Sequence, residues 1–421
     1  MNKKIMLSAY FLLLSVTLPM LPIQAKSQSN NARSLSLTKE QWREDLKFLA
    51  KELPRRHKNA FHTVSKEQFE RAVAELDTAL PSLQEYEILV GLRRIIAMVG
   101  DAHTALAPHQ TFNRYPLTLY WFGNDLRVLR TTAEYKRSLG ARVVGIGGLS
   151  LSEAMARVNT LISHENEQFL RYSNVGLMPF AEVLHALKIA PDIGQAQWMF
   201  EDAAGERFSL DFKPVPPNTK VKWLSTLKEV PLYRQQSDQL MWVKSLPDAQ
   251  TIYLNLKVYP DAEIFKRVSE EMFKLIDSSQ AKRLVIDVRQ SNGGDFLKFR
   301  SHILKELKNR SAFRKPNSLF VIIGRSTISA AMHSAIDTRS EMNAVLVGEP
   351  SGSKPNSYSE NNEFTLPNSR LQVSYSFRYY KLQEKDTPAL MPDKLLEPVW
   401  ELYTAGRDSA MEWILAQPLS K

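Results

Sequence analysis

Apolar residues recur at helical spacing in the first part of the chain beyond position 37. The stripe formed by Leu46, Leu49 and Leu53 is typical of an amphipathic helix that buries one face. Two further stripes of this kind follow, and the last ends at Gly100, a residue that commonly terminates helices. We therefore predict an N-terminal helical region of three helices over residues 38–112.

The pattern changes to short strands over residues 113–220. Two apolar runs, at 117–122 and 126–129, are separated by Gly-Asn-Asp and are typical of a hairpin. A helix is expected from about residue 152, and a later strand at 208–212. This stretch is predicted to form a small β-rich domain with at least one helix.

From residue 251 onward, strand-like runs alternate with helical patterns. The strands are expected at residues 251–256, 284–288, 319–323 and 344–347, and the helices at 262–276, at 296–307 and from 329. Such alternation predicts a mainly parallel sheet covered by helices. The predicted fold class is thus a multidomain α/β protein, with its largest domain over residues 221–421. A hairpin is expected near residues 364–377.

The first 25 residues have the pattern of a cleaved signal peptide. Lys3 and Lys4 precede a mostly apolar run, and Pro19 and Pro22 interrupt it before a small residue. An uncleaved membrane anchor is the alternative, because the run is nearly long enough to span a bilayer. Residues 26–37 are polar and are predicted to be a linker. The sequence therefore predicts an exported protein, periplasmic or secreted, that contacts a membrane only through an uncleaved leader.

Composition excludes several classes of function. The chain contains no cysteine, which excludes thiol catalysis, and its formal charge is +10, or +8 without Lys3 and Lys4 of the leader. The basic residues form no dense run, so no nucleic-acid partner is expected. The eight histidines are scattered, and no phosphate-binding or dinucleotide motif occurs, so no metal and no cofactor are predicted.

Ser329 carries the strongest chemical signal in the sequence. It follows the apolar run 319–323 and a short turn, and it stands where a helix is expected to begin. A helix N-terminus offers free N–H groups and partial positive charge, so it can stabilise an oxyanion beside a nucleophilic hydroxyl. Gly293, Gly294 and Lys354 also follow predicted strands, and the ends of parallel strands converge at one edge of a sheet.

These segments resemble the tail-specific, or C-terminal processing, serine peptidases. The likeness covers most of the mature chain and rests on the order of five motifs: Asp101-Ala102-His103-Thr104, Gly140 to Gly148, Gly293-Gly294, Thr327-Ile328-Ser329-Ala330 and Gly348-Glu349-Pro350 to Lys354. The resemblance implies a PDZ-like domain over residues 113–220 and a peptidase domain over residues 221–421. It also implies a polypeptide substrate that is cleaved through an acyl-enzyme on Ser329.

Lys354 is the first candidate for the general base, and His103 is the second. Lys354 is the family's expected base, and a lysine in this role must be neutral, which requires burial or a nearby cation. His103 needs no large pKa shift, and Glu360 is a candidate to orient it. The backbone N–H groups of Gly293, Gly294 and Ala330 are the candidate oxyanion donors.

The chain departs from the family pattern at three places near these motifs. Met332 stands where the family often has an acid, Ser353 replaces a glycine, and Gln290-Ser291-Asn292 replaces the more usual N-x-P. The departures at Met332 and Ser353 motivate the first of two alternatives to a peptidase. One is an inactive peptide- or lipid-binding protein on a peptidase scaffold, and the other is an esterase-like serine hydrolase that uses His103. The oligomeric state is not indicated.

Overall fold

A computed structural model describes residues 37–106 and 112–420. The predicted signal peptide (residues 1–25) and all but the last residue of the predicted linker (residues 26–37) lie outside the described residues. Within the described ranges, every helix is too short or too polar to cross a bilayer.

Three helices open the described chain: α1 (Lys39–Arg56), α2 (Lys66–Ala79) and α3 (Glu85–Ala97). Thr38 and Ser65 begin the first two helices, and each forms a reciprocal capping box with a glutamine three residues later. The apolar stripes of the three helices pack into a common core. The predicted helical region is therefore present, and its boundary at residue 112 stays a prediction.

The next stretch forms an antiparallel sheet and three helices. Its elements are β1 (Ala105–Leu106), β2 (Leu117–Phe122), β3 (Asp125–Thr131), β4 (Arg142–Ile146), β5 (Leu149–Ser150), α4 (Leu151–Asn159), α5 (Glu167–Leu177), α6 (Ala181–Ala186), β6 (Ala196–Glu201), β7 (Arg207–Phe212) and β8 (Leu224–Ser225). The strand order is β2-β3-β4-β6-β7, with β5 beside β4 and β8 beside β3, and β1 belongs to another sheet. Strands β2 to β7 and the three helices share one apolar core.

The last third contains the parallel sheet. Its elements are β9 (Met241–Leu246), β10 (Thr251–Leu256), α7 (Ala262–Ser279), β11 (Arg283–Asp287), α8 (Phe296–Phe299), a π-turn (Arg300–Leu304), α9 (Lys305–Lys308), β12 (Leu319–Ile323), α10 (Ala330–Met342), β13 (Val345–Gly348), β14 (Asn356–Thr365), β15 (Gln372–Lys381), β16 (Lys394–Leu395), α11 (Trp400–Thr404) and α12 (Ser409–Ala416). The order is β16-β13-β12-β11-β10-β9, parallel except for β9. The predicted α/β class and mainly parallel sheet are confirmed.

Strands β11, β12 and β13 are direct neighbours in this sheet. Their residues are almost entirely buried because helices cover both faces of the sheet. Their carboxyl ends meet at one edge, and the chain continues there into residues 288–294, 324–329 and 349–354. The sheet therefore brings the glycine pair, Ser329 and the Lys354 loop to the same edge.

The hairpin of β14 and β15 is longer than the sequence indicates. It forms a three-stranded sheet in which β1 pairs antiparallel with β15, Ala105 opposite Ser374. Apolar residues of the hairpin, including Phe364 and Val373, join the core of the three N-terminal helices. This pairing places the loop before β1, which contains His103, against the hairpin.

Candidate active site

The turn between β12 and α10 is fixed by its own side chains. Thr327 Oγ1 accepts a hydrogen bond from the Gly324 N–H at 2.9 Å and donates to the Val288 carbonyl at 2.9 Å. The Ser326 hydroxyl donates to the Arg289 carbonyl at 2.8 Å. The turn is thus tied to the end of β11, and Ser329 follows it in a defined position.

Ser329 has an unusual backbone conformation, with φ 53° and ψ −131°. A non-glycine residue with such angles stores strain of about 1–3 kcal/mol, and such strain persists where the surroundings enforce it. Ser329 is half-buried and begins α10, since its carbonyl accepts the first helical hydrogen bond from the His333 N–H at 3.1 Å. The predicted helix that begins at the serine is confirmed.

The glycine pair lies directly against this serine. A Cβ on Gly293, which has φ +100°, would stand 2.7 Å from Ser329 Cβ and 2.8 Å from Ala330 N. A Cβ on Gly294 would stand 2.5 Å from Tyr259 Cβ. Only residues without a side chain fit here. The structure thus places Gly293 against Ser329 and Ala330, while the adjacent Gly294 packs against Tyr259.

His103 lies in the loop that precedes β1 and is half-buried. Its Nε2 is 3.2 Å from the Ser359 hydroxyl on β14, whereas its buried Nδ1 has no hydrogen-bond partner among the described residues. Burial lowers the pKa of His103, and the charge of Asp101 opposes this shift. The neutral imidazole is therefore favoured, and one of its nitrogens is an acceptor.

Asp101 organises the loop that carries His103. Its buried carboxylate accepts hydrogen bonds from four groups: His57 Nε2 at 2.8 Å, Thr104 Oγ1 at 2.7 Å, Ser376 Oγ at 2.7 Å and the His103 N–H at 2.9 Å. Burial alone raises the pKa of Asp101, but the hydrogen bond and charge of His57, together with the hydrogen bonds from Ser376 and Thr104, outweigh it and lower the pKa. In the sequence, Asp101 is recognisable only as part of a motif, and His57 carries no signal because its partner lies 44 residues away.

Lys354 and Glu360 are placed differently from the expectation. The Lys354 side chain is exposed, so it lacks the burial that a neutral lysine base requires. Glu360 pairs with Arg378 at 3.1 Å and with the hydroxyl of Tyr380, while its neighbour Ser359 contacts His103. The structure therefore does not bring Glu360 to the His103 ring.

His333 lies one helical turn after Ser329 and is a buried histidine that sequence reasoning missed. It lies on the first turn of α10, is 4% exposed, and stacks on Phe296 with ring centroids 4.5 Å apart. Tyr380 meets its edge at 4.9 Å. Burial lowers the pKa of His333 to about 4, so the ring is neutral at pH 7. The sequence gives no sign of this buried position, because His333 lies at an ordinary position of the helix.

Two departures from the family pattern are in contact with each other. The Ser353 hydroxyl lies 3.6 Å from the sulfur of Met332, and both residues are buried. An acid at position 332 would stand against this hydroxyl in a buried site. The methionine and the serine thus form a compatible pair.

The described residues contain no group of His, Asp and Glu suited to hold a metal ion.

Structures with the same fold are known. The chain matches mature CPAF complexed with lactacystin with a TM-score of 0.59 and 12% identity, over 89% of this chain and 97% of that chain. A second structure, of mature CPAF, matches with a TM-score of 0.59 and 12% identity, over 89% and 96%. The photosystem II D1 C-terminal processing protease matches more loosely, with a TM-score of 0.39 and 14% identity, over 89% and 99%.

No protein-family model matches the sequence, and no curated protein matches it. At 12% identity, the likeness to CPAF concerns the fold. The chain is a mixed α/β protein of that fold, and this agrees with the resemblance to the tail-specific peptidases that the motifs indicate.

Proposed function

We propose that this chain is a serine peptidase in which Ser329 is the nucleophile. The observation that carries the proposal is the strained backbone of Ser329 at the start of α10, with Gly293 packed against it. The Ser329 oxygen attacks the peptide carbonyl, and an ester forms as the amine leaves. The backbone N–H groups of Gly293, Gly294 and Ala330 are proposed to stabilise the oxyanion.

We further propose His103, rather than Lys354, as the general base. Its lowered pKa favours the neutral ring, and Nδ1 is a buried acceptor or donor without a partner in the described chain. The base takes the Ser329 proton, passes it to the leaving amine, and then activates the water that hydrolyses the ester. The exposed position of Lys354 supports this order of preference.

The substrate class and the location belong to the same proposal. A polypeptide substrate follows from the proposed reaction and from the motifs shared with tail-specific peptidases. Export to the periplasm or the medium rests on the leader pattern of residues 1–25, and the absence of cysteine is compatible with it.

The proposed function predicts that Ser329→Ala abolishes the cleavage of an unfolded polypeptide. Without the hydroxyl no acyl-enzyme forms, so the rate falls by at least about 1000-fold. The purified mature chain and the variant are incubated with the substrate, and the fragments are read by mass spectrometry. Cleavage by both proteins would overturn the proposal. Intact peptide retained by the wild type would favour the binding protein, and turnover of esters alone would favour the esterase.

The pH profile provides a second prediction. Because burial lowers the pKa of His103, the neutral base persists below the usual value of 6.5, and activity is lost only when the pH falls through the lowered pKa. We therefore expect the acid limb of kcat/KM below pH 6.5. The measurement is kcat/KM for a fluorogenic peptide between pH 4 and pH 8, with Ser329→Ala as the blank. An acid limb above pH 7 would contradict His103 as the base.

A further inference from the structure

A short segment between α4 and α5 contacts both loops that carry the two candidate bases. We call residues 163–166 the bridging segment. The Ser163 hydroxyl accepts hydrogen bonds from the N–H groups of Gly100 and Asp101, at 3.1 and 3.0 Å. These contacts join the region predicted as PDZ-like to the loop that holds His103.

Glu165, in the middle of the bridging segment, joins the two loops through one carboxyl group. Its Oε1 accepts from the Ala102 N–H at 3.3 Å, and its Oε2 accepts from the Lys354 N–H at 2.9 Å. Ala102 and Lys354 are far apart in sequence and belong to different regions, and each lies in a candidate catalytic loop. The carboxyl group therefore fixes the separation of the two loops.

Asn166 completes the bridge on the side of the parallel sheet. Its side-chain amide donates to the carbonyls of Ser351 and Pro388, at 3.1 and 2.9 Å, while its oxygen caps α5 by accepting from the Phe169 N–H. The helix cap thus anchors the bridging segment, since a capped helix end holds its first residues in place. The segment forms six hydrogen bonds to the two loops and the adjoining Pro388.

The charge of Glu165 is coupled to these contacts. Burial, and then the charge of Asp101, raise the pKa of the Glu165 carboxyl to about 8, while the N–H groups of Lys354 and Ala102 oppose this shift. With a pKa of about 8, the carboxyl group is mostly neutral at pH 7. It becomes a carboxylate as the pH rises through this value, and the charged form accepts the two hydrogen bonds more strongly. Two backbone N–H groups donate to this one carboxyl group, so Glu165 connects the loops by hydrogen bonds and does not merely fill space.

We propose that Glu165 is a positioning residue that ties the His103 loop to residues 351–354. These residues are in turn joined to the turn before Ser329, because the Gly352 N–H donates to the Thr327 carbonyl at 3.3 Å. The role rests on the proposed peptidase function. Glu165 acts through the backbones of Ala102 and Lys354 and does not itself touch the reacting atoms. Misplacement of a catalytic group by about 1 Å is enough to cost about 100-fold in rate.

Amide hydrogen exchange tests the structural part of the proposal without any need for activity. Glu165→Ala removes both acceptors, and Glu165→Gln keeps one acceptor and replaces the other with a donor. We expect faster exchange in residues 100–104 and 351–354 of both variants, and more so in the alanine variant. The control is Glu167→Gln, because Glu167 is exposed and pairs only within its own helix, with Arg171 at 3.4 Å. Unchanged exchange in both loops would overturn the proposal.

Kinetics test the positioning role itself. Glu165→Ala is expected to lower kcat by about 10-fold to 100-fold with KM nearly unchanged, and Glu165→Gln to lie between it and the wild type. A full kcat in a variant with faster exchange would overturn the positioning role. If the exchange changes as expected but the wild type cleaves nothing, the proposed function fails instead, so the two failures are distinguishable.

Discussion

Replacement of His103 by alanine is expected to lower kcat/KM for peptide cleavage by about 100-fold to 10 000-fold, the range that a general base contributes. Replacement of Lys354 by alanine is expected to leave most of the activity. The physical reason is the difference in environment. His103 is half-buried with a buried nitrogen that has no partner among the described residues, whereas the Lys354 side chain is exposed to solvent. The two variants are compared with the same fluorogenic peptide at pH 8.

Each variant serves as the control for the other, because both residues lie in loops that Glu165 contacts through a backbone N–H. Thermal unfolding followed by circular dichroism reports whether either change disturbs the fold. If Lys354→Ala abolishes cleavage while His103→Ala remains active and folded, the assignment of the base to His103 is wrong. That outcome leaves the proposed role of Ser329 intact, since the nucleophile is tested separately.

The periodicity of apolar residues predicts much of this fold. The strands expected at 251–256 and 319–323 coincide with β10 and β12. These features depend on residues that are close in sequence or on fully buried runs. Strand β9 and residues 356–363 of β14 were missed. Polar residues such as Asn361 and Asn362 interrupt the apolar pattern of β14, and pairing with β15 compensates for this.

Some features of the candidate site could likewise be predicted from the sequence, and others depend on contacts between distant segments. The convergence of Gly293, Ser329 and the Lys354 loop follows from strand order, because consecutive parallel strands end at one edge. The contact of His103 with Ser359 depends on the pairing of β1 with β15, which joins segments about 270 residues apart. The exposure of Lys354 depends on which way a loop residue points, and neither periodicity nor motif spacing determines this.

The bridging segment could not be identified from the sequence, because its partners are distant in the chain. The segment His164-Glu165-Asn166 lacks the second histidine of a zinc-peptidase motif, and the hydrogen-bond partners of Glu165 lie 63 and 189 residues away. Only the docking of α4 and α5 against the two loops gives these polar residues a role. Polar contacts between distant segments are thus the part of the site that could be identified only from the structure.

Replacement of Gly293 by alanine is expected to abolish cleavage and to lower the free energy of unfolding by about 2–4 kcal/mol. Two costs add up. An L-residue at φ +100° is strained by about 1 kcal/mol or more. The new methyl group also overpacks the site, at about 1–3 kcal/mol, because it would lie 2.7 Å from Ser329 Cβ and 2.8 Å from Ala330 N. Any shift that relieves this contact moves the proposed nucleophile and oxyanion donors.

Gly205→Ala is the matched control for this prediction. Gly205 has φ +81° in the turn between β6 and β7, and a Cβ there would meet no atom within 4 Å. The control therefore carries the backbone strain without the overpacking, and we expect a loss of about 1 kcal/mol with unchanged activity. Urea unfolding and kcat/KM are measured for both variants. If Gly293→Ala cleaves peptides at the wild-type rate, the glycine loop does not form the oxyanion site, because the methyl group cannot be accommodated there without moving Ser329 or Ala330.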